Sequence, residues 1–528
     1  MDRAILHRSP LVLIAAAVLL PPVGLVLLWG RGGTRLRRKI LGSLAIAALA
    51  VGHLVLFFGL TFEMDGTGMW PVFKFYKPEL HYAAIEESRA EQRAAMPPPE
   101  SGVAAAAAVP QPAEAPSAAG PGETAPAAAD AMPEPAGDRP VVPAAYWTDF
   151  RGPNRDGRYD QTPIRTDWPS GGLPLLWRQP VGLGYASFVV AGGQVFTIEQ
   201  RRRQEVVAAY DVGTGRENWT HAYPAEFVEA MGGDGPRATP TWHDGRLYSL
   251  GATGELRCLD AKSGRQIWGK NILAENGAEN LKWGMAAAPL VVDDKLIVLP
   301  GGPGGRSVVA YHKLTGEPIW KVLDDKQAYT SPVLVTLAGQ RQILVVSALR
   351  IMGLRVEDGG LLWDYPWTTS FDINSAQPLI VSDNRLFISA GYGHGAALIE
   401  LRRAGEKLET RTVWQNTSMK NKFNSSVLYQ GHVYGLDESI LACVDVETGE
   451  RKWKGGRYGY GQLLLADGRL VILTEFGDVV LVKATPAGHQ EVARFSAIEG
   501  KTWNHPAIDG GLLFVRNTTE MASFRIAP

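Results

Sequence analysis

Cysteine is almost absent from this sequence: Cys258 and Cys443 are the only two in 528 residues. Two cysteines cannot build a disulfide framework, and the sequence has no CxxC, CxxCH or Cys/His cluster, which excludes structural zinc and covalently attached haem. A surplus of basic residues is also missing, since 53 Lys and Arg stand against 54 Asp and Glu. The sequence therefore gives no indication of a nucleic-acid partner.

Glycine and tryptophan, by contrast, are plentiful, with 59 and 15 residues. Many glycines indicate many tight turns, and recurring tryptophans indicate a repeated apolar anchor. The chain is also longer than one ordinary compact domain. These features together favour a repeat architecture.

Two apolar runs stand near the N-terminus, at residues 11–30 and 40–62. Each is about twenty residues long, enough to cross a bilayer core of roughly 30 Å, so residues 1–65 are predicted to form an anchor of two transmembrane helices, the first kinked at Pro21 and Pro22. A cluster of five basic residues separates the runs and is predicted to stay cytoplasmic, with both termini outside. A cleaved signal peptide is disfavoured, because the basic cluster follows the first run and a second run comes next.

The next segments differ sharply in composition. Residues 66–96 form a juxtamembrane segment in which PELHYAAIEESRAEQRAAM, from Pro78, predicts a short helix with proline in its first turn. Residues 97–143 are rich in Ala and Pro and predict a disordered linker, because they bury too little apolar surface to offset their ordering entropy. A linker of about 50 residues spans roughly 35 to 40 Å, so the domain at residues 144–528 is expected to reorient freely.

From Trp147 onward one pattern returns, as in AYDVGTGRENW and CVDVETGERKW. The D-x-x-T-G run predicts a tight turn, and the Trp that follows predicts a wedge between neighbouring sheets. Repeats spaced by roughly 40 to 50 residues are typical of four-stranded propeller blades. Counting the inner-strand segments gives an eight-bladed, all-β propeller whose last blade is completed by the N-terminal strand around Trp177. The predicted blade anchors are Trp177, Trp219, Trp268, Trp320, Trp363, Trp414 and Trp453, with Phe495 at the weaker eighth position.

The repeat signature resembles the PQQ-like (pyrroloquinoline quinone) repeats that quinoprotein dehydrogenases share with BamB-like proteins. WTDFRGPNRDG, at Trp147 to Gly157, is similar to the lead-in of BamB-like propellers, and the resemblance covers residues 147–528. It implies a fold more firmly than an activity. The two apolar runs depart from BamB, which is a lipoprotein. The two runs and the basic cluster between them, together with this resemblance, predict a bacterial inner-membrane protein with both termini and the propeller on the periplasmic side.

Quinoprotein dehydrogenases, as the resemblance implies, hold PQQ between a Trp and an adjacent cysteine pair, with Ca²⁺ and an Asp base. This sequence has no adjacent cysteines, and Asp372, with Asn374 beside it, is the best available acid. Calcium usually needs more oxygen ligands than such a pair provides. No cofactor is therefore expected, and PQQ and calcium enter only under the dehydrogenase alternative. Cys258 and Cys443 fall in opposite blades and are predicted to be free, buried thiols.

Ligands of propellers are expected where the inner strands begin near the axis. The residues there are rich in aromatic and hydrogen-bonding groups, which is typical of a recognition surface. The predicted ligand-binding funnel consists of Tyr185, Arg237, Trp283, Tyr329, Asn374, Asn424, Tyr460, Trp503 and His505.

These observations lead to one main hypothesis and two alternatives. The main one is a non-enzymatic scaffold in the cell envelope, with an envelope protein or small ligand bound at the funnel or rim. The alternatives are a membrane-bound PQQ-dependent dehydrogenase with Asp372 as base, and a carbohydrate- or peptide-binding propeller. Three consecutive arginines, Arg201 to Arg203, either bind an anionic headgroup or acidic partner or form a solvated loop; the loop is favoured.

Overall fold

The computed structural model of the protein describes residues 13–14, 17–18, 20–31, 33–64, 71–95, 146–405 and 407–528. Near the N-terminus, helix α1 occupies Pro21–Gly30 and helix α2 occupies Leu36–Phe58. The two helices pack against each other: Trp29 Nε1 donates to Ser43 Oγ at 2.9 Å, and Lys39 Nζ donates to the Trp29 carbonyl at 3.0 Å.

Among the described residues only α2 is long and apolar enough to cross a membrane, over Leu36–Leu56. α1 has 10 residues, and at 1.5 Å per residue it reaches about 15 Å, half of a hydrocarbon core. Pro21 and Pro22 lie in its first turn, where a missing N–H costs no intrahelical bond, and the described residues before them, 13–14 and 17–18, are also helical. The prediction of two transmembrane helices is thus not confirmed, and part of the first apolar run lies outside the described residues.

A short hairpin follows α2. Strands β1 (Leu60–Met64) and β2 (Pro71–Phe75) pair antiparallel, and the Tyr76 amide donates to the Gly59 carbonyl at 2.8 Å, which returns the chain to the end of α2. Helix α3 then occupies Pro78–Ala94, with Pro78 in its first turn. The linker predicted at residues 97–143 lies outside the described residues.

The rest of the chain forms eight antiparallel sheets arranged as the blades of a propeller, which confirms the predicted fold. Blade 1 contains β5 (Val189–Ala191), β6 (Gln194–Arg201), β7 (Gln204–Asp211) and β8 (Glu217–Pro224). Blade 2 contains β9 (Thr241–His243), β10 (Arg246–Leu250), β11 (Glu255–Asp260) and β12 (Gln266–Asn271). Helix α4 (Ile272–Asn276) leads to blade 3, with β13 (Leu290–Val292), β14 (Lys295–Val298), β15 (Val308–His312) and β16 (Pro318–Val322). Blade 4 contains β17 (Val333–Leu337), β18 (Gln340–Val346), β19 (Arg350–Arg355) and β20 (Leu361–Pro366).

The second half of the ring repeats this plan. Blade 5 contains β21 (Leu379–Ser382), β22 (Arg385–Ala390), β23 (Gly395–Ala404) and β24 (Lys407–Asn416). Blade 6 contains β25 (Val427–Tyr429), β26 (His432–Asp437), β27 (Ile440–Asp445) and β28 (Arg451–Arg457). Blade 7 contains β29 (Gln462–Ala466), β30 (Arg469–Leu473), β31 (Asp478–Lys483) and β32 (Glu491–Ser496). Blade 8 contains β33 (Ala507–Asp509), β34 (Leu512–Arg516), β35 (Glu520–Arg525) and, from the start of the domain, β4 (Leu175–Pro180).

The ring closes as predicted, by pairing the two ends of the domain. β4 runs antiparallel to β35, with Trp177 opposite Ser523. This pairing gives blade 8 its outermost strand and removes an open sheet edge. Blade 7 departs from the four-stranded plan, because β3 (Arg158–Tyr159) pairs in parallel with its innermost strand β29.

The anchor tryptophans lie between neighbouring blades. In most repeats the indole N–H donates to a main-chain carbonyl of the next blade, as from Trp177 to Val212 at 3.0 Å and from Trp453 to Thr485 at 2.8 Å. The glycine of the next D-x-x-T-G turn lies flat on the indole: a Cβ on Gly215 would lie 2.5 Å from the Trp177 ring. Trp363 instead donates to Gln342 Oε1 of its own blade at 2.5 Å. Blade 5, which follows it, has the long β23–β24 hairpin in place of that turn.

The D-x-x-T-G turns have the side-chain chemistry that the sequence predicts. Asp211 Oδ1 accepts hydrogen bonds from the Thr214 amide at 2.9 Å and from its hydroxyl at 2.7 Å, and Asp445 does the same for Thr448. These local bonds fix the turn and place its glycine at positive φ against the indole. One turn therefore supplies both the strand connection and the contact surface between blades.

Helix α3 packs along the junction of blade 8 and blade 1. Arg89 is 3% exposed, and its guanidinium donates to the Pro180 carbonyl at 2.7 Å and to Glu217 at 3.3 Å. Arg202, in the β6–β7 turn, pairs with Glu79 and with Glu86. The interpretation of the Arg201 to Arg203 segment as a solvated loop holds for Arg203, whose side chain is 88% exposed, whereas Arg202 pairs with acidic residues of α3 and Arg201 is only 19% exposed. Since α3 precedes the linker, this packing also contradicts the expectation that the propeller reorients freely.

Candidate functional site

The innermost strands of all blades begin on one face of the ring, here called the funnel face. Because strands alternate in direction, this face also carries the connections between the second and third strands of each blade, such as the β6–β7 turn. The residues just before the innermost strands surround the axis there and line the funnel. Six of the predicted funnel side chains are half-buried at this position: Tyr185, Arg237, Trp283, Tyr329, Tyr460 and Trp503.

Most of the aromatic rings in the funnel form one continuous arc. The centroid of Trp503 lies 5.5 Å from that of Tyr185 and 4.6 Å from that of Phe423, and Phe423 lies 5.3 Å from Tyr460. These side chains come from the connections that enter blades 1, 6, 7 and 8. Tilted ring pairs at such distances stabilise each other and present a broad apolar surface.

A second aromatic pair lies at the entrance to blades 3 and 4. The ring centroids of Trp283 and Tyr329 are 5.8 Å apart. Arg237, which enters blade 2, joins this side of the funnel to the arc, since its guanidinium lies 5.4 Å from the Tyr185 ring and 4.9 Å from the Phe227 ring. The Arg237 side chain is held by the carbonyls of Gly235 and Gly233, each at 2.5 Å.

Lysines lie over several of these rings. Lys501 Nζ is 4.1 Å from the Trp503 centroid, Lys422 Nζ is 4.6 Å from that of Tyr460, and Lys282 Nζ is 4.9 Å from that of Trp283. Together with Arg237 they add positive charge to an aromatic surface. Such a surface favours ligands that have an apolar or planar part and an anionic or hydrogen-bonding part.

Glu475 holds the arc in position. Its carboxylate accepts a hydrogen bond from Trp503 Nε1 at 2.9 Å and another from the Tyr460 amide at 3.1 Å. The two bonds fix the orientation of the indole and the start of the blade 7 connection. Neither Glu475 nor Phe423 is among the predicted funnel residues. Phe423 lies between Lys422 and Asn424, so a search of the whole connection, instead of one position per blade, would have found it.

Three predicted funnel residues are buried: Asn374 and His505 bind main-chain groups, and Asn424 binds the Asn421 side chain. Asn374 Nδ2 donates to the carbonyls of Ser347 and Trp367, at 2.9 and 3.1 Å, and Asn424 Oδ1 accepts from Asn421 at 3.0 Å. His505 has its ring nitrogens 2.7 Å from the Pro506 carbonyl and 3.1 Å from that of Leu463. Burial, with the nearby Arg151 charge, lowers the pKa of His505 to about 3, so the imidazole is neutral. In the described geometry Asn374 and His505 join neighbouring blades and Asn424 bonds within its own connection, and a part for the three in ligand binding stays a prediction.

The lead-in segment, Trp147 to Gly157, crosses the central channel beneath the funnel. Its carbonyls accept hydrogen bonds from Val190 of blade 1, at 2.8 Å, and Leu465 of blade 7, at 2.8 Å. The Trp147 ring is fully buried and stacks on His505 at 6.5 Å, from the side opposite the funnel opening. A ligand in the funnel therefore has access from the funnel face and meets the lead-in segment at the other end.

Two buried arginines fix the lead-in segment. Arg155 donates to the carbonyl of Pro332 at 2.9 Å and to that of Pro289, which joins blades 3 and 4, and pairs with Asp149 at 2.8 Å. Arg151 donates to the Ser426 carbonyl of blade 6 at 2.8 Å, and burial lowers its pKa to about 10. The similarity of WTDFRGPNRDG to propeller lead-ins marked this segment in the sequence, but no periodic signal placed it in the channel.

Comparison with known proteins agrees with this architecture. Residues 202–455 match the family model described as outer membrane protein assembly factor BamB. These residues form a BamB-like domain of PQQ-like repeats. The match begins in the β6–β7 turn of blade 1 and ends in blade 6, so it covers the repeats with the clearest Trp and Gly signature.

The PQQ-like propeller is also similar to redox enzymes. A curated relative, the quinohemoprotein alcohol dehydrogenase ADH-IIG of Pseudomonas putida, is 26% identical over 219 residues, which are 39% of this chain and 29% of the enzyme. Two solved structures share the fold. The quinohemoprotein alcohol dehydrogenase of Comamonas testosteroni matches with a TM-score of 0.55 and 13% identity, over 72% of this chain and 80% of its own. A europium-containing methanol dehydrogenase matches with a TM-score of 0.52 and 14% identity, over 70% and 89%.

The residues of this propeller do not fit the PQQ site that the resemblance implies. Cys258 and Cys443 are buried, free thiols in blades 2 and 6, as predicted, so they cannot form an adjacent pair against a cofactor. Asp372 pairs with Lys326 at 2.7 Å, so the positive charge next to its carboxylate is a lysine, and the Asn374 amide nitrogen donates to a main-chain carbonyl. The described part of the chain also brings together no group of three or more His, Cys, Asp or Glu side chains that could hold a metal.

Proposed function

We propose that this protein is a membrane-anchored component of the cell envelope whose propeller binds a protein segment or small ligand in the funnel without catalysing a reaction. The observation that carries the proposal is the funnel itself: an aromatic arc with four cations, closed beneath by the lead-in segment. Aromatic and arginine side chains dominate the binding energy of recognition surfaces, and here they converge on one axis. The family description, an assembly factor, supports a binding role for a propeller of this kind.

The apolar helix α2 supports the anchor. Its 23 residues reach about 34 Å at 1.5 Å per residue, enough to cross a bilayer core. Five basic residues, Arg31 to Lys39, precede or begin it. Basic loops stay cytoplasmic, so the propeller that follows α2 lies outside the inner membrane, on the periplasmic side of a bacterial cell.

Site-specific photocrosslinking tests the binding role. A photoreactive phenylalanine analogue at Trp503, in the funnel, is compared in the full chain with the same analogue at Leu314, which is 42% exposed on the opposite face. We expect discrete crosslinked adducts from position 503. Trp283→Ala, in the funnel, should weaken these adducts. Tyr429→Ala, which changes a half-buried aromatic residue on the opposite face, should leave them intact. The same adducts from position 314, or none from position 503, would refute the proposal.

Binding of a carbohydrate or a peptide to the same surface can be measured by the fluorescence of the funnel tryptophans. Saturable quenching of tryptophan fluorescence that disappears in Trp503→Ala would identify the ligand class, because Trp503 stands at the centre of the arc. Quenching that persists when both funnel tryptophans, Trp503 and Trp283, are replaced by alanine would place the ligand elsewhere and count against the funnel.

The second candidate, a PQQ-dependent dehydrogenase with Asp372 as base, is favoured by the similarity to the quinohemoprotein enzyme. Adding PQQ and Ca²⁺ to the purified chain tests it. A binding module is expected to show no cofactor absorbance and no dye reduction with alcohols or sugars. Cofactor absorbance with dye reduction that is lost in Asp372→Asn would replace our proposal with the dehydrogenase.

A further inference from the structure

The end of the apolar helix lies close to the first turn of α3. The hydrogen bond from the Tyr76 amide to the Gly59 carbonyl places Lys77, the residue before α3, next to the C-terminal end of α2. Glu79 follows Lys77 by two residues, which is at most about 7 Å of extended chain. Glu79 in turn pairs with Arg202 of the propeller. The point where α2 ends is thus joined to the propeller by a very short path.

That path reaches the propeller on its funnel face. Arg202 lies in the β6–β7 turn, on the same side as the funnel opening. His81, one turn further along α3, has Nε2 2.9 Å from the carbonyl of Val181, which begins the connection to the innermost strand of blade 1. The C-terminal half of α3 then descends along β4, where Gln92 bonds Gln179 at 2.8 Å. Because the first turns of α3 contact the propeller at the funnel face, this face is the side of the propeller nearest the end of α2.

The same face carries the most exposed large apolar side chains of the described propeller. They are Phe371 at 81%, Val228 at 67% and Phe476 at 64% exposure. Each lies in a connection on the funnel face, at a different position around the ring. Phe371 and its neighbour Asp372 both have positive φ, 65° and 60°, a conformation that bulky residues rarely adopt unless the surrounding structure enforces it.

Exposed basic side chains lie near Phe371 and near Val228, whereas Phe476 lies between the acidic Glu475 and Asp478. Lys326, which pairs with Asp372 beside Phe371, is 64% exposed along its side chain, and Arg203, beside the α3 contact, is 88% exposed along its own. Separate aromatic or aliphatic tips with basic neighbours are typical of surfaces that rest on the interfacial region of a bilayer. A protein interface of ordinary size would gather its apolar side chains into one patch instead.

We propose that the funnel face lies against the surface of the bilayer that holds α2, with Phe371, Val228 and Phe476 inserted in the interfacial region. This inference rests on the proposed membrane anchor. The short path from α2 determines which face of the propeller is near the membrane. The three apolar side chains, spread around the ring, determine the tilt of the propeller relative to the bilayer. The funnel then opens toward the membrane, and its ligand is a group presented at the bilayer surface.

Lipid-quenched fluorescence tests this orientation in the full chain, reconstituted into nanodiscs of zwitterionic and anionic phospholipids. An environment-sensitive dye is attached to Phe371→Cys, Val228→Cys or Phe476→Cys. The matched controls are Leu314→Cys and Leu175→Cys, which are 42% and 50% exposed at the opposite face. The native thiols are buried and stay unlabelled. An unchanged melting temperature shows that each variant is folded.

We expect blue-shifted emission and quenching by nitroxide lipids at the three funnel-face positions, and quenching by aqueous iodide at the two controls. Equal iodide quenching at all five positions would overturn the inference. Dyes at the funnel face that are shielded from iodide but not quenched by nitroxide lipid would also overturn it, in favour of a protein covering this face. If the full chain does not incorporate into nanodiscs, the proposed anchor fails instead, which is a separate result.

Discussion

Replacing Arg155 by methionine removes the guanidinium that ties the lead-in segment to blades 3 and 4. Arg155 is 3% exposed, donates to the carbonyls of Pro332 and Ala288 at 2.9 and 3.2 Å and to that of Pro289, and pairs with Asp149 at 2.8 Å. Methionine has a similar length but no donor. The carbonyls of Pro332 and Ala288 and the Asp149 carboxylate would lose the guanidinium, while the Pro289 carbonyl keeps the Thr241 hydroxyl at 2.6 Å.

The expected cost follows from these contacts. Removing one partner of a buried, hydrogen-bonded charge costs about 3–5 kcal/mol, and Asp149, whose side chain is 17% exposed, recovers some hydration, so we expect about 4 kcal/mol. Unfolding entropy is about 2.1 cal/mol/K per residue, or about 0.8 kcal/mol/K for roughly 380 residues, which converts this cost to a loss of about 5 °C in Tm.

Differential scanning calorimetry of the full chain measures this loss, and Arg158→Met is the matched control. Arg158 directly follows this segment, in β3, but is 36% exposed along its side chain and pairs with an exposed Asp160, so its replacement is expected to cost less than about 0.5 kcal/mol, below 1 °C. Equal melting temperatures for the two variants would refute the claim that Arg155 holds the centre of the ring.

Three further predictions address the ring, the thiols and the buried histidine. Gly215→Ala is expected to cost about 2–4 kcal/mol, because a Cβ there would lie 2.5 Å from the Trp177 ring at the closure of the ring. Gly192→Ala, also at positive φ but with open space around it, is expected to cost about 1 kcal/mol. Equal losses of unfolding free energy for the two variants, measured by urea unfolding, would contradict the packing of Gly215 against the Trp177 indole. Burial raises the pKa of Cys258 to about 12 and of Cys443 to about 11, so neither thiol is expected to react with a chromogenic disulfide at pH 8 until the chain is unfolded; rapid reaction of the native chain would exclude buried thiols. Burial lowers the pKa of His505 to about 3 from 6.5, so the unfolded chain binds the extra proton between these values and stability falls as pH falls from 6.5 toward 3. His505→Gln is expected to reduce this dependence of stability on pH. If the difference in Tm between the wild-type protein and His505→Gln stays the same from pH 7 to pH 4, His505 does not contribute to the pH dependence.

The propeller itself was predictable because its signals are local and periodic. The Asp of each D-x-x-T-G run bonds the Thr three residues later, and the glycine that follows lies on the indole of the preceding blade. Both relations repeat at the spacing of the blades, so the pattern determined the number of blades and the pairing of β4 with β35. Trp363 shows the limit, since its expected partner turn is replaced in blade 5 and the indole bonds Gln342 instead.

The funnel was predictable in outline for the same reason. One position before each innermost strand identified Tyr185, Tyr329, Tyr460 and Trp503, because every blade enters the axis at the same register. The method could not find Glu475, which comes from the connection between the second and third strands of blade 7 and reaches Trp503 by tertiary packing. It also grouped Asn374, Asn424 and His505 with the funnel, although Asn374 and His505 bind main-chain groups and Asn424 binds the Asn421 side chain.

By itself, then, the sequence determined the fold class, the number of blades, the closure of the ring and the free state of both thiols, because each depends on spacing along the chain. Only the tertiary structure placed α3 on the junction of blades 8 and 1 and the lead-in segment in the channel. These contacts join residues far apart in the chain, such as Arg89 with Glu217 and Arg155 with Pro332. Their partners are single charges and main-chain carbonyls, which leave no periodic mark in a sequence, and they become neighbours only when the eight blades have closed around one axis.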